Sequence, residues 1–422
     1  MEYVIVGNSA AAIAAVEGIR KNDKKGNITL ISDEKHHTYS RPLISYYLGD
    51  KVKEEGMYYR EQDFYTKNNV KTLLGEKAVE IKKEEKKVVL DSGEKISYNK
   101  LLIATGSVPF VPPMDGLEGK ENIYTFLKWD DATALKSKVK RQSRVIVIGA
   151  GLIGLKAAEG LNKLTDDVTV VELADRVLST ILDHQAASIV QKQMEQQGTK
   201  FVLNNTVVQI CGDGKVEKVI LKDGKALPCD ILIIAIGVRP NVALAQTAGI
   251  QINRGIMVDS KMETSVNDIY AAGDVTESMD ITVNTNRILA LWPNAYQQGE
   301  IAGYNMSGGK MQFDGAFPMN AIGFFGLPMI TAGIVNPTGE GYSVYMEMNE
   351  DDQWLKKFVV KEDVLVGFIL LNKVDRAGIY TSLIRDKVSL GVLKHHLLED
   401  GFGLKAFPKS IRKEKMLMGG RK

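Results

Sequence analysis

The chain of 422 residues is poor in cysteine, with only Cys211 and Cys229. Two thiols exclude a disulfide framework, a four-thiolate zinc site and a cysteine-ligated iron–sulfur cluster within this chain. Sparse cysteine is typical of a reducing compartment, so we expect a cytoplasmic location. Both cysteines stand in or beside apolar runs, which predicts small buried residues rather than reactive thiols.

Long apolar runs and a charge excess are also missing. The formal net charge is +2, so no whole-molecule field steers the chain to nucleic acid. The longest apolar run, ILIIAIGV from Ile231, is far too short to cross a bilayer. The sequence enters the run YVIVG at Tyr3 without a charged leader, so we expect no signal peptide. Length and an apolar content of 44% predict a globular protein of two or three domains.

One pattern occurs twice along the chain. Each copy has a β-branched run, a small-residue turn and an Ala-rich helix, then a β run that ends in acid and an apolar run that stops at glycine. The pieces are EYVIVGNSAAAIAAVEGIR, ITLISDE and LLIATGSVP in the first copy (2–20, 28–34, 101–109) and SRVIVIGAGLIGLKAAEGL, VTVVELAD and LIIAIGVRP in the second (143–161, 168–175, 232–240). The repeat predicts an α/β fold with two Rossmann-like dinucleotide-binding units.

The second turn has a complete phosphate-binding pattern, Gly149-x-Gly151-x-x-Gly154. These glycines allow a tight turn, close approach of the backbone to a pyrophosphate and close packing of helix on strand. Glu172 ends the next β run, where a carboxylate accepts hydrogen bonds from an adenosine ribose and repels a 2′-phosphate. The pattern predicts NAD, and NADP stays a weaker alternative because Arg176 follows four residues later.

The first turn is less complete, with Gly7 followed by Ser9 and Ala12. Alone it is compatible with a structural turn that binds nothing. The acids Asp33 and Glu34 and the intact second copy favour a dinucleotide site instead.

A third signal comes late, in SVNDIYAAGDV (265–275), which places Asp274 at a strand end beside a glycine. Pro293 suits the first turn of the helix that follows. Free N–H groups at that helix start could meet a negatively charged ring edge.

With these motifs in this order, the chain resembles the FAD-dependent pyridine nucleotide-disulfide oxidoreductase superfamily. The strongest likeness is to NADH:rubredoxin and ferredoxin-type reductases and to the flavin module of NADH-dependent nitrite reductases. The resemblance implies an FAD-binding domain in two pieces, 1–112 and 242–310. It further implies an inserted NAD-binding domain at 113–241 and a C-terminal α+β interface domain at 311–422.

The resemblance also assigns cofactor contacts. Those to FAD are Gly7, Ser9, Ala10, Ala12, Asp33, Glu34, Arg41, Pro42, Ala78, Ala104, Thr105, Gly106, Asp274, Asn294 and Ala295. Those to NAD are Gly149, Gly151, Leu152, Ile153, Gly154, Glu172 and Gly237. We expect no metal site, because the pairs His36–His37 and His395–His396 lack further partners at ligand spacing.

The electron acceptor is predicted from what this chain lacks relative to the superfamily. Disulfide reductases, NADH oxidases and peroxidases carry a redox cysteine after the second FAD strand, whereas YSRPLISYYLGD (39–50) has none. Without a thiol relay, electrons must leave the flavin directly, and an iron–sulfur carrier of ferredoxin or rubredoxin type is the leading acceptor. Direct reduction of oxygen, or a redox sensor that binds FAD and NADH without useful turnover, are the alternatives.

Two features qualify this interpretation. Lys156 stands where relatives usually have glutamate, and Tyr46 where they have the lysine that pairs with it; we predict that Lys156 faces the flavin, near Tyr46 or Tyr47, and tunes its potential. The basic tail KAFPKSIRKEKMLMGGRK (405–422) could dock an acidic carrier, or could be only a solvated end.

Overall fold

The protein is described by a computed structural model, which covers residues 1–409 and 412–413. Its first elements alternate β-branched runs with small-residue helices, as the sequence predicts. They are β1 (Glu2–Val6), α1 (Ala10–Asn22), β2 (Asn27–Ser32), α2 (Ile44–Leu48), α3 (Phe64–Lys67), β3 (Val70–Leu74), β4 (Ala78–Lys82), β5 (Lys87–Leu90), β6 (Lys95–Ser97), β7 (Lys100–Ile103) and β8 (Ser107–Pro109).

The middle of the chain repeats the alternation. Its elements are β9 (Ile123–Tyr124), α4 (Trp129–Lys138), β10 (Arg144–Ile148), α5 (Leu152–Leu161), β11 (Asp167–Val171), α6 (His184–Gln196), β12 (Thr199–Val202), β13 (Val207–Cys211), β14 (Lys218–Leu221), β15 (Ala226–Pro228), β16 (Ile231–Ile234) and β17 (Val238–Pro240).

The last third is richer in strands. Its elements are α7 (Ala243–Thr247), β18 (Ile256–Met257), β19 (Ile269–Ala271), β20 (Thr276–Asp280), β21 (Thr285–Ile288), α8 (Trp292–Met306), β22 (Met319–Phe324), β23 (Leu327–Gly333), β24 (Tyr342–Asn349), β25 (Trp354–Lys361), β26 (Val364–Leu371) and α9 (Ala377–Arg385). Short 3₁₀ helices occupy Arg41–Leu43, Glu54–Met57, Gly391–His396 and Leu404–Ala406.

The chain divides into two compact units, one formed by 1–171 with 206–316 and the other by 172–205 with the segment from 317 onward. The first unit holds a parallel sheet in the order β3-β2-β1-β7-β19. Strand β19 therefore returns to a sheet that begins with β1 at the start of the chain, and its Ile269 pairs with Leu101 of β7. The same unit holds a second parallel arrangement, β11-β10-β16-β9. The predicted α/β fold with two Rossmann-like sheets is confirmed.

The two crossings between these sheets run side by side. Strand β8 leaves the first sheet region and β17 returns to it, and the two pair antiparallel, with Val238 opposite Pro109. The hydroxyl of Thr105 donates to the carbonyl of Asn241, which ties the ends of the crossings together. The chain thus leaves the first sheet region and rejoins it through a two-stranded ribbon.

Helices α1 and α8 pack unusually closely on the first sheet. A Cβ added to Gly299 would lie 2.0 Å from the carbonyl oxygen of Ala11, and one added to Gly303 would lie 2.1 Å from that of Ala15. Small residues on both helices therefore bring the two backbones together. This contact fixes the two helix N-termini on one side of the sheet.

The second unit is built on an antiparallel sheet in the order β22-β23-β26-β25-β24. Helix α9 packs against β26 on the aromatic side chains Phe358, Phe368 and Tyr380. A turn at Glu362 and Asp363 joins β25 to β26, and both residues have positive φ, 48° and 64°. Among the described residues, no helix is long and apolar enough to span a membrane.

Candidate functional site

The turn after β1 lies at the carboxyl edge of the first sheet, where parallel strands bind ligands. Gly7 has φ of 125°, and a Cβ there would lie 2.1 Å from the carbonyl oxygen of Ala104 at the end of β7. Ser9 is the extended residue before α1, and its carbonyl accepts from the N–H of Ile13. The first amides of α1 therefore face this edge, as a pyrophosphate site requires.

The turn after β10 has the same construction. Gly149 has φ of 102°, and a Cβ there would lie 2.5 Å from the carbonyl oxygen of Ala235. A Cβ at Gly154 would lie 2.0 Å from the carbonyl oxygen of Gly149. At Gly151, by contrast, a Cβ would meet no atom within 4 Å. The fold itself thus requires the first and third glycines, and the second leaves a cradle that suits a closely approaching phosphate.

The acids after β2 have different surroundings. Glu34 is buried and accepts hydrogen bonds from the hydroxyl of Tyr39, at 2.7 Å, and from the guanidinium of Arg41. Asp33 is half exposed and pairs with Lys128 at 2.9 Å. Of the two predicted ribose acceptors, Asp33 therefore has the more accessible carboxylate. Glu34 instead positions Arg41, a role that sequence reasoning did not assign.

Asp274 follows β19 at the same sheet edge. Burial raises the pKa of its carboxyl above the usual range, and the positive charge of Arg41 offsets part of that rise. The hydroxyl of Ser107 lies 3.5 Å from Asp274. A side chain missed by sequence reasoning, Gln298 on α8, accepts from the N–H of Gly273 at 2.8 Å and so fixes the strand end beside Asp274.

The remaining predicted FAD contacts cluster around these elements. Asn294 and Ala295 are buried in the first turn of α8, which has Pro293 at its start. Thr105 and Gly106 follow β7, and Ala78 begins β4, where the strand has a bulge. Arg41 and Pro42 begin the 3₁₀ helix Arg41–Leu43 before α2. Their individual roles stay predictions.

An apolar pocket of about 290 Å³ opens at the second sheet. It lies beyond the ends of the adjacent strands β10 and β16. From β10 the sheet continues to β11 on one side, and from β16 it continues on the other side. Dinucleotides bind at such a switch point. Its lining is Pro112, Pro113, Met114, Ile148, Thr206, Val207, Val208, Ile234 and Ile236. Sequence reasoning missed this pocket. The internal repeat would have indicated it, because Val207 begins β13 in the second copy just as Ala78, a predicted FAD contact, begins β4 in the first copy.

The acid after β11 sits in a short ordered segment. Glu172 accepts a hydrogen bond from the N–H of Ala174 at 2.8 Å. Arg176 donates to the carbonyls of Leu182 and Ser179 and pairs with Asp175 at 2.8 Å. The guanidinium that could have received a 2′-phosphate is thus engaged with its own loop.

Lys156 is buried in α5 and takes part in a charged cluster. It pairs with Glu159, which also accepts from Lys51 at 2.8 Å. The ammonium of Lys156 lies 4.4 Å from the centre of the Tyr46 ring, so the two unusual positions are in contact. Burial opposes the charge on Glu159, but the hydrogen bonds from Lys156 and Lys51 outweigh it and lower the pKa of that carboxyl.

The two cysteines differ in burial, and the prediction that both are buried is confirmed for Cys229 and not for Cys211. Cys229 is fully buried, and burial raises the pKa of its thiol to about 12. Cys211 ends β13 and is half-buried. In residues 1–409 and 412–413, no group of three or more His, Cys, Asp or Glu side chains could hold a metal ion.

Two parallel sheets, each with a glycine turn and an acid beyond the neighbouring strand, define a protein built to bind two dinucleotides. Residues 1–299 match the profile of the pyridine nucleotide-disulphide oxidoreductase family, and the chain belongs to that family.

The curated relatives carry different activities. The assimilatory nitrate reductase electron transfer subunit of Bacillus subtilis is 31% identical over 94% of this chain and 51% of its own length. This chain spans about half the length of that relative and of a second one from Bacillus subtilis. An NADH oxidase of Methanocaldococcus jannaschii is 35% identical over 74% of this chain and 71% of its own length.

Among solved structures, putidaredoxin reductase in its covalent complex with putidaredoxin is similar over most of the chain. The sequence identity is 26% and the TM-score is 0.84, with 92% of this chain and 94% of that one covered. The shared architecture thus extends beyond the residues that the family profile matches.

Proposed function

We propose that the chain is an FAD-dependent NADH oxidoreductase that passes single electrons from the flavin to an iron–sulfur carrier protein of ferredoxin or rubredoxin type. The observation that carries this proposal is the pair of glycine turns, Gly7 and Gly149, each closed against the neighbouring strand end of its own parallel sheet. Bound flavin would take two electrons as a hydride and release them one at a time. The protein supplies binding, orientation and electrostatics.

In this proposal the FAD-binding domain comprises 1–112 and 242–310. The pairing of β19 with β7 and the β8–β17 ribbon support a domain interrupted by the NAD-binding segment 113–241. The amides at the start of α1 hold the pyrophosphate, and Asp33 accepts from the adenosine ribose. Arg41, oriented by Glu34, and Asp274 lie along the cofactor, and the first turn of α8 directs its N–H groups at the flavin ring. Residues 311–422 form the third domain in this proposal, the interface domain.

The second turn holds NADH in the same way. The amides after Gly151 receive the pyrophosphate, and the apolar pocket at Val207 is large enough to take part of the adenosine. Gly237, which has φ of 123°, follows β16 at the same edge. Glu172 selects NADH by accepting from the ribose, and the engagement of Arg176 within its loop removes a partner for NADPH.

Electrons leave the flavin without a thiol relay in this proposal. The sequence has no cysteine before Cys211, and burial holds Cys229 in its protonated form. The likeness to putidaredoxin reductase and to an electron transfer subunit supports a protein acceptor. The basic tail 405–422 is the proposed docking segment for an acidic carrier; its residues 410, 411 and 414–422 lie outside the described part of the chain.

Lys156 is proposed to raise the flavin potential. A cation about 4 Å from reduced, anionic flavin would stabilise it by up to roughly 4 kcal/mol at an effective dielectric of 20. That upper limit corresponds to about 90 mV for a two-electron couple. The contact with Tyr46 supports the idea that both positions changed together.

Direct reduction of oxygen is the second candidate function, and the 35% identity to an NADH oxidase favours it. It predicts that air alone reoxidises the reduced flavin as fast as any carrier does. A redox sensor, the third possibility, predicts little turnover with either acceptor. A cytoplasmic location stays a prediction.

The first experiment asks whether both cofactors bind and react. The purified protein should show a flavin spectrum, and NADH should bleach it anaerobically within milliseconds to seconds, with NADPH much slower. Gly154→Ala should keep the flavin and lose rapid bleaching, which separates the two sites. The proposal would be refuted if the protein carried no flavin after reconstitution with FAD, or if its flavin stayed oxidised after NADH was added.

A further inference from the structure

The segment that follows β11 lies in the same compact unit as the C-terminal sheet. That unit comprises 172–205 and the chain from 317 onward, so it contains Glu172, helix α6 and strands β22 to β26. In the proposed domain plan these parts come from two domains, the NAD-binding segment 113–241 and the interface domain 311–422. A contact within this unit therefore joins the interface domain to the loop that begins at the proposed ribose acid.

The loop between β11 and α6 is closed by Arg176. Its guanidinium donates to the carbonyls of Ser179 and Leu182, both at 3.2 Å. Leu178, in the middle of the loop, is buried and has φ of 51°. The loop is therefore a compact turn of backbone around one guanidinium, and the position of Arg176 depends on where the carbonyl of Leu182 is held.

Two side chains of the C-terminal segment hold that end of the loop. Asn336, which lies between β23 and β24, donates from Nδ2 to the carbonyl of Leu182 at 3.1 Å. Lys357 on β25 pairs with Asp183 at 2.7 Å. The carbonyl of Leu182 thus accepts from both Asn336 and Arg176, and the residue after it is bound to the sheet through an ion pair.

The ion pair between Lys357 and Asp183 is shielded from water. The side chain of Lys357 is 8% exposed and that of Asp183 is 20% exposed. The other carboxylate oxygen of Asp183 accepts from the N–H of Ala186 at 2.9 Å and caps helix α6. Salt screens such a pair little, and removing its cation leaves a half-buried carboxylate without that partner. Lys357 therefore fixes the point at which the loop becomes helix α6.

We propose that Asn336 and Lys357 are positioning residues for coenzyme selection. They hold the end of the loop, so that Arg176 stays bound to its own loop carbonyls and does not donate to the 2′-phosphate of NADPH. An arginine close to the ribose acid is the group that accommodates this phosphate in dinucleotide-binding folds. The inference rests on the proposed function, in which Glu172 accepts from the ribose of NADH. It adds that coenzyme choice depends on side chains 154 and 174 residues beyond their partners in the loop.

The test is the anaerobic bleaching of the FAD-loaded protein by NADH and by NADPH, followed by stopped-flow over a series of coenzyme concentrations. Lys357→Met should raise the apparent Kd for NADH about threefold to tenfold, as the loss of a hydrogen bond does, and leave the limiting bleaching rate unchanged. The NADPH-to-NADH ratio of the second-order rate constants should rise by about threefold or more, because the loosened loop frees Arg176 for the phosphate. Asn336→Ala should act in the same direction and provides the reading if Lys357→Met does not fold.

Two further variants separate positioning from a general loss of stability. Arg176→Ala, added to Lys357→Met, should remove the gain with NADPH, because the gain depends on the freed guanidinium. Lys357→Arg keeps the cation and should keep a near-native ratio.

The residue next to Lys357 provides a matched control. Lys356 is also buried on β25, and its ammonium pairs with Asp400 and donates to the carbonyl of Leu398. Because side chains alternate along a strand, Lys356 lies on the opposite face from Lys357. Lys356→Met should therefore lower the thermal stability and leave the ratio of NADPH to NADH rate constants unchanged.

An unchanged ratio in Lys357→Met or in Asn336→Ala would overturn the inference. It would also be overturned by a gain with NADPH that persists without Arg176, or by an equal gain in Lys356→Met. Failure of the proposed function is distinguishable, because it would appear in the native protein itself, as missing flavin, absent bleaching by NADH or a preference for NADPH.

Discussion

The two dinucleotide turns share a design but differ in where they need glycine. In both, the first glycine lies against a carbonyl at the neighbouring strand end, at Ala104 for Gly7 and at Ala235 for Gly149. At the third position they diverge. Gly154 admits no Cβ, because the carbonyl oxygen of Gly149 would be 2.0 Å away, whereas Ala12 carries its Cβ in a fully buried site.

In the first turn the close backbone contact is made between helix α1 and helix α8. Gly299 and Gly303 on α8 lie against Ala11 and Ala15 of α1, so the glycines that allow close approach belong to the partner helix. An incomplete glycine pattern therefore does not mean an incomplete site. The positions that do hold glycine show where the backbones approach each other closely, and these contacts can be tested one at a time.

The largest effect is expected at Gly7. In Gly7→Ala the new Cβ would collide with the Ala104 carbonyl, and relieving such overpacking costs about 1–3 kcal/mol or more. We expect the variant to lose most of its FAD, as measured by the flavin-to-protein absorbance ratio after gel filtration, and to lose activity in the same proportion. Ser9→Gly, which restores the second glycine of the pattern, is the control and should retain flavin. Full flavin content in Gly7→Ala would contradict the assignment.

The next largest effect is expected at the third position of the second turn. Gly154→Ala should raise the KM for NADH about tenfold or more, because the turn must shift to accept a Cβ, while flavin content stays native. The reciprocal variant Ala12→Gly should keep FAD and lose about 1–2 kcal/mol of stability, because it places a glycine within a helix and removes a buried methyl group. A large loss of FAD in Ala12→Gly would show that the two turns are not equivalent in this way. Steady-state kinetics and thermal unfolding provide both readings.

A smaller effect is expected beyond β11. Leu173 follows Glu172 and is 62% exposed, so an arginine there would be free to meet a 2′-phosphate. Leu173→Arg combined with Glu172→Ala should shift the NADPH-to-NADH ratio of kcat/KM by tenfold or more, which a charge-assisted hydrogen bond of about 1.5–3 kcal/mol supplies. An unchanged ratio would place the ribose elsewhere. Asp33→Ala, at the equivalent place in the first copy, should leave this ratio unchanged and weaken FAD instead.

The smallest effect, none, is expected from the thiols. Burial raises the pKa of Cys229 to about 12, so at pH 7 to 8 its thiol stays protonated and unreactive. Alkylation under native conditions should therefore modify Cys211 at most, and NADH-driven electron transfer should continue at the native rate. Loss of activity on alkylation would contradict this prediction and would support electron transfer through a thiol.

Much of this organisation could be predicted from local sequence. The β-branched runs at Val4 and Val145 and the turns after them identify both sheets, because these patterns depend on neighbours in the chain. The buried polar contacts could not be predicted in the same way. Lys51 and Glu159 are 108 residues apart, and Gln298 reaches Gly273 across 25 residues, so only the tertiary fold brings them together. The pocket at Val207 is an intermediate case. It could have been predicted from the internal repeat, because Val207 occupies the place in the second copy that Ala78 occupies in the first.

The central claim is that electrons pass from NADH through flavin to a carrier protein without a thiol. Double-mixing stopped-flow tests it most directly: the flavin is first bleached anaerobically with a stoichiometric amount of NADH, then mixed with oxidised ferredoxin, oxidised rubredoxin or air-saturated buffer. The account predicts rapid bleaching, then reoxidation by one of the carriers at least tenfold faster than by oxygen. Reoxidation by oxygen that is as fast as with either carrier would contradict it and would favour an NADH oxidase.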